Sequence, residues 1–178
     1  MIKSSVLTKL SVVLLVGFCW SCKKVKIPKG AEPVANFEIE KFRGKWFEIA
    51  RFDFKFEKNM SHVTANYYLT NDGTVKVLNR GYNFKDNEWQ EKEGNAKFVD
   101  DKTIGALKVS FFGPFYSGYN VVSLEGDYEY ALVFGQNTDY IWFLSRTETM
   151  DEGVKERFLQ LARDAGYDLN RLVWTVQD

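Results

Sequence analysis

The alternation of apolar and polar residues along most of the chain predicts a series of short β-strands. Large apolar side chains recur at every second position, which is the period of a strand with one buried face. Turn residues such as Asn71-Asp72-Gly73 and Gly113-Pro114 separate the predicted strands. These strands are Trp46–Phe54, Val63–Thr70, Thr74–Tyr82, Glu88–Val99, Ala106–Phe112, Tyr116–Leu124, Tyr128–Phe134 and Tyr140–Arg146.

Beyond the eighth strand the pattern becomes helical. Apolar residues recur at helical spacing over Asp151–Gly166, with Thr149 or Asp151 as the candidate N-cap, and Leu172–Val176 forms a last short strand. Eight sequential strands with short connections predict an all-β fold, an eight-stranded antiparallel up-and-down β-barrel with one C-terminal α-helix packed outside. A jelly-roll sandwich is the alternative, but it needs long crossing connections that this chain lacks.

The first strand carries the most informative pattern. Gly44 suits the tight entry into the strand, and Trp46 takes the first inward position. Strict alternation predicts that Trp46, Glu48 and Ala50 point inward, and that Phe47, Ile49 and Arg51 point outward. A carboxylate on the same face as a buried tryptophan fits a cavity better than a dry core.

The first 21 residues form a predicted lipoprotein signal peptide. Lys3 and Lys9 precede the apolar run Leu10–Phe18, which is too short to span a bilayer stably. The run ends in Cys19-Trp20-Ser21-Cys22, which resembles a bacterial lipoprotein cleavage box, so we expect Cys22 to become the lipidated first residue; an ordinary secretion signal is the alternative. Residues 22–36 are then a membrane tether, and residues 37–178 are the barrel domain.

Composition narrows the class of partner. The chain has 24 basic and 24 acidic residues, so we expect no nucleic-acid partner. The aromatic content of 16% fits either ordinary β-packing or an apolar pocket lined by rings.

Catalysis is the alternative class of function, but the sequence contains few residues that could support it. His62 is the single histidine, so neither a paired-histidine metal site nor haem ligation is expected. The chain has no G-x-S-x-G motif, and the acidic pairs Asp100-Asp101 and Asp151-Glu152 fit a turn and a helix start. We therefore expect no catalytic residue, no metal and no cofactor.

Three spaced motifs resemble those of the lipocalin family. Gly44-Lys45-Trp46 resembles its first motif, Gly126-Asp127-Tyr128 its second, and Trp142–Arg146 its third; Thr138-Asp139-Tyr140 lies one strand too late to be the second. The resemblance is stronger to the bacterial branch, which consists of outer-membrane lipoproteins, although Phe47 replaces the usual tyrosine. It implies structural roles for Gly44, Trp46, Asp127, Tyr128 and Arg146, with Arg146 packed over Trp46 at the closed end of the barrel.

The same resemblance implies a fatty acid or lysophospholipid as ligand, and lipid anchoring in the outer membrane with the barrel in the periplasm.

On β-strands other than the first and last, only the chemistry of the side chains indicates which face points inward. On the sixth strand, Tyr119 and Val121 are one candidate inward pair, and Tyr116 and Asn120 are the other. The predicted cavity residues are Glu48, Ala50, Tyr67, Val109, Phe111, Tyr119, Trp142 and Leu144. A filled core, or an envelope lipoprotein that acts through protein contacts of Phe115 and Tyr116, is the alternative.

Overall fold

Nine strands and two α-helices make up the part of the chain that the structure describes. The computed structural model describes residues 26–55 and 57–178, so the predicted signal peptide and Cys22 lie outside it. The strands are β1 (Gly44–Phe52), β2 (Met60–Leu69), β3 (Val75–Asn83), β4 (Glu88–Phe98), β5 (Ala106–Phe112), β6 (Phe115–Glu125), β7 (Tyr130–Gly135), β8 (Ile141–Ser145) and β9 (Leu172–Trp174). The helices are α1 (Ile39–Phe42) and α2 (Glu152–Asp164).

The sheet closes into an up-and-down barrel. Each strand from β1 to β8 pairs antiparallel with its neighbour in sequence, and β1 pairs with both β2 and β8. The β1–β2 register aligns Gly44 with Tyr67 and Phe47 with Thr64. Beyond Phe47, β1 pairs with β9 through Ala50–Phe52, so both halves of β1 have a partner on that side. The predicted barrel is confirmed, and the jelly-roll alternative is wrong.

A β-bulge in β1 corrects the predicted alternation. Glu48 lies opposite Leu144, but Ala50 lies opposite Phe143, so one extra residue is inserted between them. The insertion reverses the alternation, and Ala50 and Arg51 exchange their predicted faces. Ala50 packs outside the barrel wall with Phe143 and Phe158, whereas Arg51 lies opposite Trp142 and turns toward the interior.

The other boundaries lie within three residues of the predicted ones. The strand predicted from Tyr128 begins instead at Tyr130. Asp127 and Tyr128 have φ angles of 50° and 71°, a left-handed conformation that a strand does not accommodate. They therefore belong to the turn between β6 and β7.

The apolar core has two parts, one inside the barrel and one between the wall and α2. Val154, Phe158 and Ala162 form the buried stripe of α2 and pack on the outward side chains of the wall. Of the two candidate caps, Asp151 is the residue that accepts a hydrogen bond, from the backbone N–H of Val154 at 3.1 Å. Every barrel strand and both parts of the core that the structure describes lie within residues 26–178.

The ends of the barrel differ. The entry segment and α1 cover the end where β1 begins, which we call the closed end. The opposite end carries the β1–β2, β3–β4, β5–β6 and β7–β8 turns, and we call it the mouth. Among the described residues, no helix is long and apolar enough to cross a membrane.

The described part of the predicted tether is not a free linker. Ala35 forms a β-bridge with Ile104, and the backbone N–H of Val34 donates to the carbonyl of Val121 at 2.8 Å. Further toward the N-terminus, the Lys26 carbonyl accepts a hydrogen bond from Asn120 Nδ2 at 3.3 Å. Residues 26–36 therefore pack along the barrel wall, which corrects the expectation for that part of the segment.

Candidate functional site

The closed end is plugged by Trp46 and Arg146. The guanidinium carbon of Arg146 lies 3.8 Å from the centre of the Trp46 ring, which is the packing expected from the sequence. The guanidinium donates hydrogen bonds to the carbonyls of Lys41, at 2.6 Å, and Lys45, at 2.8 Å. Trp46 Nε1 donates to the Phe42 carbonyl at 2.7 Å. These contacts tie the entry segment to the last barrel strand and seal the base.

Asp127 and Tyr128 attach α1 to the barrel. The Tyr128 hydroxyl accepts a hydrogen bond from the backbone N–H of Glu38 at 2.7 Å, and the Asp127 carboxylate lies 3.2 Å from Lys41 Nζ. The Arg146 Nε also donates to the Tyr128 carbonyl at 3.2 Å. The second and third motifs therefore act on one helix at the closed end, away from the mouth.

Above this plug the barrel encloses a cavity of about 310 Å³. That volume lies at the lower end of the range of roughly 300–1,000 Å³ that is usual for small-ligand sites. Most lining side chains are apolar, and the polar ones gather toward the mouth. The apolar lining includes Phe42, Val63, Ala65, Tyr67, Val75, Val77, Ala96, Leu107, Val109, Phe111, Tyr119, Trp142 and Leu144.

The structure brings most of the predicted cavity residues together. Glu48, Tyr67, Val109, Phe111, Tyr119, Trp142 and Leu144 line the cavity. The exception is Ala50, which the bulge in β1 turns toward the outer core beneath α2. On β6 the inward pair is Tyr119 and Val121, since Asn120 packs outside against the carbonyls of Phe134 and Gly135.

Tyr67 and Tyr119 meet across the interior. Their hydroxyl oxygens are 2.7 Å apart, although β2 and β6 lie on opposite sides of the eight-stranded ring. Burial raises the pKa of both phenols, so both stay protonated at neutral pH. Each ring also touches a neighbour that lines the cavity: Tyr67 meets Phe42 edge-on, and Tyr119 stacks on Trp142 at 6.2 Å. The hydrogen bond between the two hydroxyls therefore joins opposite walls of the barrel across its interior.

A charged cluster lies on the β1 side of the cavity. Arg51 Nη1 donates to Glu48 Oε1 at 2.9 Å, and only 1% and 4% of these two side chains is exposed. Thr175 donates to the same Glu48 oxygen at 2.6 Å and accepts from Arg51 at 3.0 Å. Glu57 Oε2 lies 3.7 Å from Arg51 Nε and accepts a hydrogen bond from Trp142 Nε1 at 3.2 Å.

The cluster contains one cation, Arg51, and three carboxyl groups, because Asp53 Oδ1 also lies 3.5 Å from Arg51 Nη2. The pKa values of two of them, Glu48 and Glu57, are raised. Burial, reinforced by the charge of Glu48, raises the pKa of Glu57 to about 8. Burial also raises the pKa of Glu48, while Arg51 opposes that shift. At neutral pH the Glu57 carboxyl is therefore mainly protonated. It can donate a hydrogen bond to an anionic group that enters the cavity from the mouth.

The opposite wall of the mouth is polar as well. Asn79, Gln90 and Lys92 come from β3 and β4 and line the cavity. Asn79 Oδ1 is buried without a hydrogen-bond partner in the described part of the chain. Arg80 and Glu91 line the same wall and form an ion pair at 3.2 Å. An entering ligand therefore meets a protonated carboxyl on one side, and Lys92, two amides and this ion pair on the other.

Sequence reasoning missed Arg51 and Glu57. Strict alternation places Arg51 outside, because a bulge leaves no mark in an alternating pattern. Alternation does not reach Glu57, because it follows β1 in a loop. A signal for it existed: Trp46 marks the closed end, so the loop after β1 must lie at the mouth, and an acidic residue there faces any ligand.

His62 lies on the outer wall, away from the cavity. It has a φ of 51°, its ring stands 6.0 Å from that of Trp89, and its Nδ1 is 2.9 Å from the Ser61 hydroxyl. Within the described residues, no three histidine, cysteine or acidic side chains are grouped as metal ligands.

Comparison with known proteins agrees with this geometry. Residues 37–177 match the lipocalin-like domain family. The outer membrane lipoprotein Blc of Vibrio cholerae is 48% identical over 152 residues, which cover 85% of this chain and 89% of that protein. The Escherichia coli K12 protein of the same name is 46% identical over 157 residues, covering 88% and 89%.

A solved structure shares the fold at much lower identity. Insecticyanin of the tobacco hornworm Manduca sexta superposes with a TM-score of 0.66 at 19% identity. The match covers 82% of this chain and 83% of insecticyanin.

Proposed function

The chain belongs to the lipocalin family, in the branch of the bacterial outer membrane lipoproteins, and on that premise we propose that it is an envelope lipid-binding protein. Its ligand is a fatty acid or a lysophospholipid, which the barrel stores or carries. The acyl chain occupies the apolar cavity, and the head group stays near the mouth. Lipidated Cys22 anchors the protein in the outer membrane, with the barrel in the periplasm.

The cavity is the observation that carries this proposal. It is apolar along most of its wall, closed at its base by Trp46 and Arg146, and polar only near the mouth. An acyl chain gains about 0.8 kcal/mol per methylene removed from water, so an apolar tunnel favours it over a polar solute. The names of the relatives, outer membrane lipoproteins, support the proposed location.

The polar groups at the mouth suit an acidic head group. The protonated carboxyl of Glu57 donates one hydrogen bond to a carboxylate or phosphate, and Lys92 on the opposite wall supplies a positive charge. The Glu48–Arg51 pair is already neutralised, so it adds no net charge beneath the head group. Such a mouth accepts the head group without burying an unpaired charge.

Native mass spectrometry of the protein purified from envelopes tests the proposal. We expect a population heavier than the delipidated chain by the mass of one fatty acid or lysophospholipid. Trp142 lines the cavity, so titration with palmitate should change tryptophan fluorescence, and Trp142→Phe should remove most of that change. A protein that carries no lipid, and whose fluorescence does not respond to micromolar palmitate or lysophospholipid, would contradict the proposal.

A further inference from the structure

An exposed aromatic patch surrounds part of the mouth. Phe115 is the most exposed of the large apolar side chains in the described residues, at 78%, and Phe84 is 56% exposed. Phe112 and Tyr116 are also exposed. These four residues, which we call the mouth patch, lie at the tips of the β3–β4 and β5–β6 hairpins. Both hairpins turn at the mouth.

Two lysines of like charge lie beside Tyr116 on the outer wall of the barrel. Lys97 on β4 is the cross-strand partner of Lys108 on β5, an arrangement that is destabilising unless an anion compensates it. Neither lysine forms an ion pair with a carboxylate among the described residues. Their ammonium groups approach the Tyr116 ring, at 6.0 Å and 5.5 Å from its centre, and so lean toward the hairpin tip.

A third lysine extends this positive rim. Lys92 Nζ lies 4.3 Å from the centre of the Phe112 ring, on the same side of the mouth. Aromatic rings with lysines beside them form the arrangement that suits a bilayer surface. The rings enter the acyl boundary, and the ammonium groups stay with the phosphates.

The described N-terminal segment begins near the same end. A Cβ on Gly118 would lie 2.9 Å from the Lys26 carbonyl oxygen and 3.2 Å from Gln136. Gly118 lies three residues beyond Phe115, and Gln136 begins the β7–β8 turn at the mouth. Four peptide links separate Lys26 from Cys22, so they span at most about 14 Å.

From these observations we infer that the mouth faces the bilayer, with the mouth patch inserted among the acyl chains and Lys97 and Lys108 bound to anionic lipid head groups. The lipid would pass between bilayer and cavity without crossing open water. This transfer route rests on the proposed function, and the anchor argument rests on the proposed lipidation of Cys22. The proposed docking surface depends on neither assumption, because it is inferred from the exposure of the aromatic side chains and from the charge of the lysines.

Flotation with phospholipid vesicles tests the inference without the anchor. The chain from residue 22 onward, produced in the cytoplasm so that it carries no lipid, is mixed with vesicles of phosphatidylethanolamine and phosphatidylglycerol. We expect binding to these vesicles, weaker binding to pure phosphatidylcholine, and further loss at high salt. Phe115→Ser should weaken the partition constant about tenfold, and each of Lys97→Gln and Lys108→Gln about fivefold.

Matched controls separate the patch from general surface effects. Leu161→Ser removes an exposed apolar side chain from α2, and Lys102→Gln removes a lysine from the closed end; both should bind as the unaltered chain does. Failure of the unaltered chain to bind anionic vesicles would overturn the inference, and so would equal binding by Phe115→Ser. A dimer that Phe115→Ser abolishes in sedimentation would assign the patch to a second copy instead, which also overturns it.

Palmitate titration of each variant distinguishes this inference from the proposed function. Phe115→Ser should keep the palmitate affinity of the unaltered chain, because its side chain points away from the cavity lining. Vesicle binding without palmitate binding would contradict the proposed function and support the docking surface. Palmitate binding without vesicle binding would contradict the docking surface alone.

Discussion

At the residue scale, the contact between Trp46 and Arg146 connects the first strand of the barrel to the last. Arg146 follows the last barrel strand, and Trp46 lies in the first, so their stacking fastens the ring where it closes. The arginine also satisfies carbonyls that the entry segment would otherwise leave without donors. Both residues lie at the closed end, so their role concerns the stability of the barrel.

Arg146→Ala should lower the free energy of unfolding by about 2–4 kcal/mol, measured by urea denaturation. The variant loses a cation–π contact and leaves several carbonyls unpaired. Ligand affinity should stay unchanged. Arg157→Ala removes the ion pair between α2 and the partly exposed Glu125 of β6, and should cost less than about 1 kcal/mol. Equal stability of the two variants would contradict the structural role of Arg146.

The hydroxyls of Tyr67 and Tyr119 should be energetically coupled. Tyr67→Phe leaves the Tyr119 hydroxyl buried without its partner, at a cost of about 1–3 kcal/mol, and Tyr119→Phe does the converse. The double variant removes both groups, so it should cost less than the sum of the single variants. A double-mutant cycle by urea denaturation measures this difference. Additive losses would show that the two hydroxyls do not interact.

Glu57 should make stability depend on pH. Its pKa is about 8 in the folded protein and 4.5 as the ordinary value, so folding favours the protonated form. The stabilising contribution is complete below about pH 4.5 and disappears as the pH rises through about 8. Glu57→Gln should therefore gain stability relative to the unaltered chain between about pH 5 and about pH 9. Urea denaturation of both chains across this pH range measures the difference, and a pH-independent difference for Glu57→Gln would contradict its burial.

At the element scale, alternation predicted the strands but could not predict the bulge in β1. A strand with an inserted residue has the same apolar and polar composition as a regular one, and only its partner strand shows the shift. The bulge places both Glu48 and Arg51 inside, where they neutralise each other. The face of Ala50 and the existence of the charged cluster were therefore inaccessible to pattern reasoning.

Helix α2 illustrates the opposite case, in which local sequence was sufficient. Its apolar spacing and its cap at Asp151 are local features, so both could be predicted.

Phe158→Ala should lower the free energy of unfolding by about 3–5 kcal/mol, because Phe158 is fully buried against the wall. Leu161→Ala, one turn further on and 42% exposed, should change it by less than about 0.5 kcal/mol. Calorimetry of both variants checks this contrast; equal losses would mean that α2 does not pack on the barrel through that stripe.

At the scale of the whole molecule, the eight-stranded ring follows from sequential strands with short connections, and a cavity follows from the size of such a ring. The contents of the cavity depend on contacts between distant segments. The Tyr67–Tyr119 bridge joins residues 52 positions apart, and Glu57 meets Trp142 across 85 positions. No local pattern encodes such distances, so the fold was predictable while the polar part of the site was not.

We propose that the interior of the barrel is hollow and receives an acyl chain, and two matched variants of β2 test this directly. Ala65→Phe places a ring in the cavity, whereas Thr64→Phe places the same ring on the outer face of the same strand. Titration of tryptophan fluorescence with palmitate compares both variants with the unaltered chain. We expect saturable binding of a single palmitate by the unaltered chain and Thr64→Phe, and none by Ala65→Phe. Undiminished binding by a folded Ala65→Phe, or no binding by the unaltered chain, would contradict the claim.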